Sequence, residues 1–185
     1  ISWSSSLISN AKRGVRATFQ AESITTALYR PYTKEFLYFD GLFNHRVAQN
    51  PKIFPYSGVN NILISVSGIG AKKDFSAVVS NIICDIQFSA NGQCFPLYYY
   101  EKADIKKSGE LLKSDEKPDK HGYIKRDAIT DFALEKFQTS YSDKKIKKED
   151  IFYYVYGFLH SPSYRETFAN DLKKMLPRLP LIEDV

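Results

Sequence analysis

NNILISVSG, residues 60–68, is a short β-branched apolar run closed by a glycine. That composition suits a buried strand, and the chain on either side is read from it. Downstream, the turn IGAKKD leads into FSAVVS (75–80) and then NIICDIQFS (81–89), where apolar and polar residues alternate. Asn91-Gly92, inside ANGQC (90–94), is a strong hairpin signal, with CFPLYYY (94–100) as the returning strand. Upstream, TTALYRPY and KEFLYFD read as two further extended pieces. Pro31 between them keeps Arg30 out of the helical region.

The second half has a different texture. EKADIKKSGELLKSDEKPDKHG (101–122) is charged, broken by Gly and Pro, and offers only Leu111 and Leu112 as sizeable apolar groups, which predicts a mobile surface loop. Beyond it the apolar spacing becomes helical. Ile129, Phe132, Ala133 and Phe137 share a face, with Asp127 placed to cap the N-terminus. A second helix starts near Lys148 and carries IFYYVYGFLH, apolar nearly all round and therefore buried on several sides. A third opens at SPSYRE, where Ser163 and Glu166 have capping-box spacing, and stops at Pro177. The fold class is α+β: a mixed, mainly antiparallel sheet over residues ~24–100 with a C-terminal helical cap over ~124–176. The chain is one domain, with a β-rich part (1–100), the charged loop (101–122) and a helical part (123–185).

Composition excludes several classes. The 185 residues are 43% hydrophobic and 15% aromatic, a globular composition. No apolar run approaches the ~20 residues that span a bilayer, and ISWSSSLISNAKRG lacks the features of a secretory signal. With no initiator Met, the sequence reads as a piece of a longer cytoplasmic polypeptide. Cys84 and Cys94 form no C-x-x-C pair, and His45, His121 and His160 have no zinc spacing, so two reduced thiols and no metal are expected. The net charge of +5 is concentrated in front: residues 1–100 hold nine Lys/Arg against five Asp/Glu, and residues 101–185 hold seventeen against sixteen. A basic surplus of this kind is compatible with phosphate contacts.

No catalytic constellation emerges. GIGAKK (68–73) follows a strand but lacks both the spacing and the Lys-Ser/Thr ending of a phosphate-binding loop, so it reads as a glycine turn. Lys72 and Lys73 on such a turn would still meet a DNA phosphate well. SPSY (161–164) departs from the N-P-P-Y signature of amino-methyltransferases at its first and third positions. Asp-x-Lys at 104–106, 115–117 and 143–145 lies in hydrophilic stretches without the rigid frame a nuclease metal site needs. His160 suits a helix C-terminus, and His45 beside Arg46 suits a surface. In YRPYTKEFLYFDGLFNHRVAQNPKIFPY (29–56), the rings of Tyr29, Phe36, Tyr38 and Phe39 are expected mainly in the core. Arg30, Lys34, Arg46 and Lys52 must reach solvent or a partner.

ALYRPYTKEFLYFDGLFNHRV, KIFP, SVSGIG, QCFPLYYY and IFYYVYGFLHSPSYRETFANDLKKMLPRLPLIED, in this order over residues 26–184, resemble the C-terminal region of Type ISP restriction–modification enzymes. These are single polypeptides that join a nuclease, a helicase-like translocase, an adenine methyltransferase and a target-recognition domain. The resemblance implies sequence-specific recognition of double-stranded DNA beside the methyltransferase and translocase, with no catalytic residue and no cofactor in this region. S-adenosylmethionine, ATP and Mg²⁺ would then belong to the parent enzyme's other parts. It transfers no residue-level code. The candidate DNA-binding residues Arg30, Lys34, Arg46, Lys52, Lys72 and Lys73 rest on charge and context alone. A scaffold that docks on the methyltransferase without reading bases, and a stand-alone nuclease, are the alternatives.

Overall fold

The computed structural model describes residues 3–45, 47–71, 74–103 and 117–182. Along the chain run α1 (Ser5–Lys12), β1 (Ile24–Arg30), β2 (Thr33–Tyr38), α2 (Asn50–Ile53), β3 (Leu63–Val66), β4 (Ala77–Ser80), β5 (Ile83–Cys84), β6 (Gln93–Pro96), β7 (Tyr98–Lys102), β8 (Tyr123–Asp127), α3 (Asp131–Ser140), α4 (Lys148–Phe158), α5 (Pro162–Thr167) and α6 (Ala169–Leu172). The class is α+β, with the strands in three small sheets ordered β2-β1-β5, β4-β3-β6 and β7-β8.

β3 is the axis. All four of its residues are buried, and successive side chains of a strand point to opposite faces. Leu63 therefore enters a core made by Ile53, Phe54, Val59, Ile83, Phe88 and Tyr100. Ile64 and Val66 enter the opposite one, with Ala77, Leu97, Phe152, Leu159, Tyr164 and Leu172. A single four-residue strand thus joins the β-rich front of the molecule to its helices. Each such side chain withdrawn from water contributes ~1.5–3 kcal/mol. Asn61, just ahead of β3, is buried with all its valences used. It donates to the carbonyls of Ile53 (3.0 Å) and Tyr98 (2.7 Å) and accepts from the N–H groups of Ile62 and Tyr98.

Six local expectations are corrected. Ala90 and Asn91 do turn the chain with positive φ, but the strand that follows does not return on 81–89. β6 pairs antiparallel with β3, from Leu63↔Pro96 to Val66↔Gln93. Of 81–89 only Ile83 and Cys84 are extended, parallel to β1 through Ala27↔Ile83 and Leu28↔Cys84; Asp85 then bends the chain by accepting from Gln87 N–H at 2.7 Å. Residues 123–127 are a strand against β7, from Tyr98↔Asp127 to Lys102↔Tyr123, so the helical part starts later than 124. Asp127 does not cap α3; Thr130 does, its Oγ1 accepting from Ala133 N–H. Ser161, not Ser163, caps α5, because Pro162 occupies the first helical position. An N-terminal helix, α1, also stands in the half read as strands and turns, capped by Ser4.

α4 begins at Lys148 as its pattern predicts, with the Asp150 carboxylate accepting from Lys147 N–H at 2.8 Å. Ile151, Phe152 and Leu159 are its buried contacts, whereas Tyr153 is exposed. Most of the expected 101–122 loop, residues 104–116, lies outside the described residues. Its flanks join the β7–β8 hairpin: Glu101 and Lys102 belong to β7, and Ala103 N–H bonds Gly122 O at 2.9 Å. Among the described residues no helix is long and apolar enough to cross a membrane, and no group of three or more His, Cys, Asp or Glu could hold a metal ion.

Candidate nucleic-acid interface

β1 and β2 form an antiparallel ribbon whose register runs from Ile24↔Tyr38 to Arg30↔Thr33, with an irregularity between Leu28 and Arg30. Pro31 sets up the turn, and Tyr32 closes it at φ 68°, a left-handed conformation. The Tyr32 ring is 97% exposed. Arg30 lies beside it, its guanidinium 4.2 Å from the centroid of the Tyr29 ring and bonded to Tyr29 O at 2.8 Å. One arm reaches Asp85 at 3.4 Å. Both partners are largely exposed, so this pair is weak and leaves the guanidinium available. Lys34 is exposed across from Leu28.

The same strand corrects the expectation for the rings. Phe36 is 86% exposed and Tyr29 is exposed, while Tyr38 and Phe39 are partly buried. Alternation along β2 is the cause: Leu37 faces the core, which sends Lys34 and Phe36 outward. Phe19, 69% exposed, stacks on Tyr38 at 5.5 Å, and Phe43 meets Tyr38 edge-on at 5.6 Å. With Ile24 and Phe36 these rings line an apolar groove of about 700 Å³ along the side of the ribbon, towards the end away from its tip.

Lys52 is exposed on α2. Arg46, Lys72 and Lys73 lie outside the described residues. The described residues that flank the two lysines are tied down. Gly68 N–H bonds Ala90 O (3.3 Å), Gly70 N–H bonds Lys173 O (2.9 Å) and Ala71 N–H bonds Gly68 O (3.2 Å). Those three amides are spent within the protein. On the far side, Asp74 accepts an ion pair from Lys173 at 3.2 Å. The turn is thus fastened to the end of α6, beside exposed Lys173 and Lys174. Sequence reasoning missed these two, because only the contact between residues ~100 apart brings them to the turn.

Tyr56, Asp119 and His121 meet in a cluster that superficially suggests acid–base chemistry. Tyr56 donates to Asp119 at 2.6 Å, and its ring stacks on His121 with centroids 3.9 Å apart. The other Asp119 oxygen accepts the N–H groups of His121 and Tyr123, both at 2.9 Å. Burial and then the Asp119 hydrogen bond push the Tyr56 phenol up to about 12, while that same hydrogen bond, above all, holds Asp119 below its usual range. A phenol locked in its protonated form beside a carboxylate occupied by backbone donors is a fastening for the entry to β8.

An α+β domain with a basic exposed ribbon is the class this geometry defines. The family model of the Type ISP C-terminal specificity domain matches residues 1–185, and the chain belongs to that family, whose members are parts of enzymes. Three solved structures are similar to it. The chain is 33% identical to a cryo-EM structure of the DrdV–DNA complex, covering 100% of this chain and 16% of that one, with a TM-score of 0.85. It is 30% identical to LlaBIII, an ATP-dependent Type ISP restriction–modification enzyme bound to DNA, covering 97% and 11%, with a TM-score of 0.79. It is 33% identical to a nuclease-deletion mutant of the Type ISP enzyme LlaGI in complex with a DNA substrate mimic, covering 100% and 12%, with a TM-score of 0.74. The chain therefore spans between 11% and 16% of those proteins. No curated protein matches it.

Proposed function

We propose that this specificity domain reads duplex DNA with the β1–β2 ribbon, whose tip enters the major groove. The observation that carries the reading is the ribbon itself: two antiparallel strands with a basic, exposed tip at Arg30-Pro31-Tyr32. A two-stranded ribbon fits the major groove, ~12 Å wide. The six residues of β2 extend ~20 Å, enough to carry the tip to the base edges. Arg30 is the candidate for bidentate contact with guanine. Lys34, Arg46, Lys52, Lys72 and Lys73 supply phosphate contacts that set position without reading sequence. The three similar proteins in complex with DNA support this assignment.

In this reading the domain performs no chemistry of its own. S-adenosylmethionine, ATP and Mg²⁺ serve the methyltransferase, translocase and nuclease parts of a longer enzyme, and the domain's partners are DNA and those neighbours. The docking alternative gains one observation, the apolar groove of Phe19, Ile24, Phe36 and Phe43. It lies along the side of the ribbon and not at its tip, so docking and reading are compatible.

The test compares cognate and scrambled duplexes across a salt series with the full-length protein. Arg30→Ala should cut discrimination ~5- to 150-fold, in line with ~1–3 kcal/mol per bidentate pair, while Lys34→Ala weakens both duplexes alike. Unchanged discrimination in Arg30→Ala would remove the ribbon tip from the reading surface.

A further inference from the structure

Tyr29 and Arg30 are consecutive residues of β1, and in a regular strand their side chains would leave on opposite faces. The ladder with β2 shows why they do not: between Leu28↔Lys34 and Arg30↔Thr33, β1 advances two residues and β2 one. Tyr29 is the extra residue of a bulge, a device that re-aims side chains. The result is the Arg30 guanidinium over the Tyr29 ring, 4.2 Å from its centroid, with Nη1 donating to Tyr29 O at 2.8 Å. On the other flank of β1, β5 ends at Cys84, level with Leu28. The next residue, Asp85, donates its N–H to Leu28 O at 2.9 Å. Its Oδ1 accepts from Gln87 N–H at 2.7 Å and from Arg30 Nη1 at 3.4 Å. A carboxylate tied down at its backbone and at its side chain therefore faces the guanidinium at the ribbon tip.

We propose that Asp85 is a positioning residue for base recognition: it holds Arg30 in the conformation that reads guanine, and so sets the preference for a G·C pair at that position. The inference rests on the reading of the ribbon given above. Asp85 and Tyr29 O both take Nη1, whereas Nε and Nη2 have no protein partner among the described residues. Those two nitrogens form one edge of the guanidinium, a complete two-donor fork for O6 and N7 of guanine.

Three effects make the carboxylate matter to selectivity. An exposed arginine samples many rotamers. The ring beneath it and the acid beside it restrict that freedom before DNA arrives, so less ordering is left to oppose binding. In water the pair is screened, with side chains 45% and 40% exposed; in a groove that excludes water the same charges attract more strongly. The negative charge also disfavours the competing use of Arg30, a swing onto a phosphate, because Asp85 would be left unpaired beside the charge of the DNA backbone. The first two effects strengthen the correct complex, and the third weakens incorrect ones. None requires Asp85 to touch a base.

The full-length protein is used to select its target from a randomised duplex library. Affinities are then measured for the selected duplex, its single base-pair variants and a scrambled duplex. Arg30→Ala identifies the base pair that Arg30 reads. Asp85→Asn removes the charge but keeps an oxygen for Gln87 N–H, as a turn of this kind allows, so the thermal midpoint should be unchanged. It should lower discrimination at that same base pair at least ~3-fold, with affinity for the scrambled duplex unchanged or higher. In an Arg30→Ala background it should have no further effect on discrimination, because the residue it positions is gone. Asp85→Ser, which keeps a hydroxyl acceptor, should repeat the pattern. If Arg30→Ala relaxes no base pair, the ribbon reading itself falls and this inference with it. If it relaxes a base pair that Asp85→Asn leaves as selective as before, only the role of Asp85 is overturned. Equal losses on all duplexes, relaxation at a different base pair, or an additive effect in the double variant would overturn it too, since Asp85 would then act on the fold or by a contact of its own.

Discussion

The buried amide of Asn61 bonds the backbone of Tyr98 in both directions, donating to its carbonyl at 2.7 Å and accepting from its N–H at 3.2 Å. It imitates a ladder pair where no strand residue stands, and it fixes β7 against the entrance to β3. Asn61→Ala should cost ~2–4 kcal/mol, because several buried backbone groups lose their partner at once. Asn61→Asp should be no better, since a carboxylate would face the carbonyls of Ile53 and Tyr98 that need a donor. Chemical denaturation of the domain measures both.

Stability should fall above about pH 10. The Tyr98 phenol is pushed up to about 12, first by its hydrogen bond to Glu149 and then by burial. Tyr56 is pushed to the same value chiefly by burial, and so is Tyr154, where a hydrogen bond with Tyr141 adds to burial. A raised pKa means that the folded state holds its proton more tightly than the unfolded chain, whose phenols titrate at ~10. That contribution is complete below ~10 and is lost as pH climbs through about 12. Tyrosinate absorbance should appear late for these three rings, together with the onset of unfolding. Tyr98→Phe should reduce the alkaline decline.

Gly68 and Gly70 should respond differently to alanine. A Cβ at Gly68 would strike the Asn91 carbonyl, whereas Gly70 has open space but φ 76°. Gly68→Ala should therefore cost ~2 kcal/mol or more by displacing the 90–91 turn. Gly70→Ala should cost ~1–2 kcal/mol from its left-handed backbone alone. Equal losses in denaturant titrations would contradict the packing role of Gly68.

What could be read from the sequence was decided by short-range chemistry. β3 announces itself through its β-branched run, α4 through a continuous apolar pattern, and the β1–β2 ribbon through Arg30-Pro31 between extended pieces. The errors fall where a distant partner decides. YIKRD (123–127) has the charges of a helix entrance, and only its ladder with β7 makes it a strand. Phe36 looks like core until Leu37 is seen to take the inward side. GIGAKK reads as a glycine turn from sequence, but the reasons for its glycines lie elsewhere in the chain: the Asn91 carbonyl beside Gly68, and the left-handed backbone of Gly70, whose amide bonds Lys173 O. The basic neighbours Lys173 and Lys174 reach that turn only through the folded chain.

Lys72→Ala with Lys73→Ala should weaken binding to all duplexes alike in the full-length protein. If both lysines displace counterions, the slope of log affinity against log salt should fall by ~1.8, or ~0.9 per contact. Discrimination between cognate and scrambled sites should survive. An unchanged slope would take this turn off the phosphate backbone.

The parallel ladder between β1 and β5 consists of two residue pairs, Ala27↔Ile83 and Leu28↔Cys84, while β1 shares six with β2. The outer ribbon is thus largely self-contained in its backbone pairing and hangs from the rest by a short suture. Exchange of residues 29–36 between relatives need not disturb the register of the strands behind them. In evolutionary terms the arrangement is modular: the tip can diversify under selection for new targets while Leu63, Ile64 and Val66 go on specifying the same scaffold.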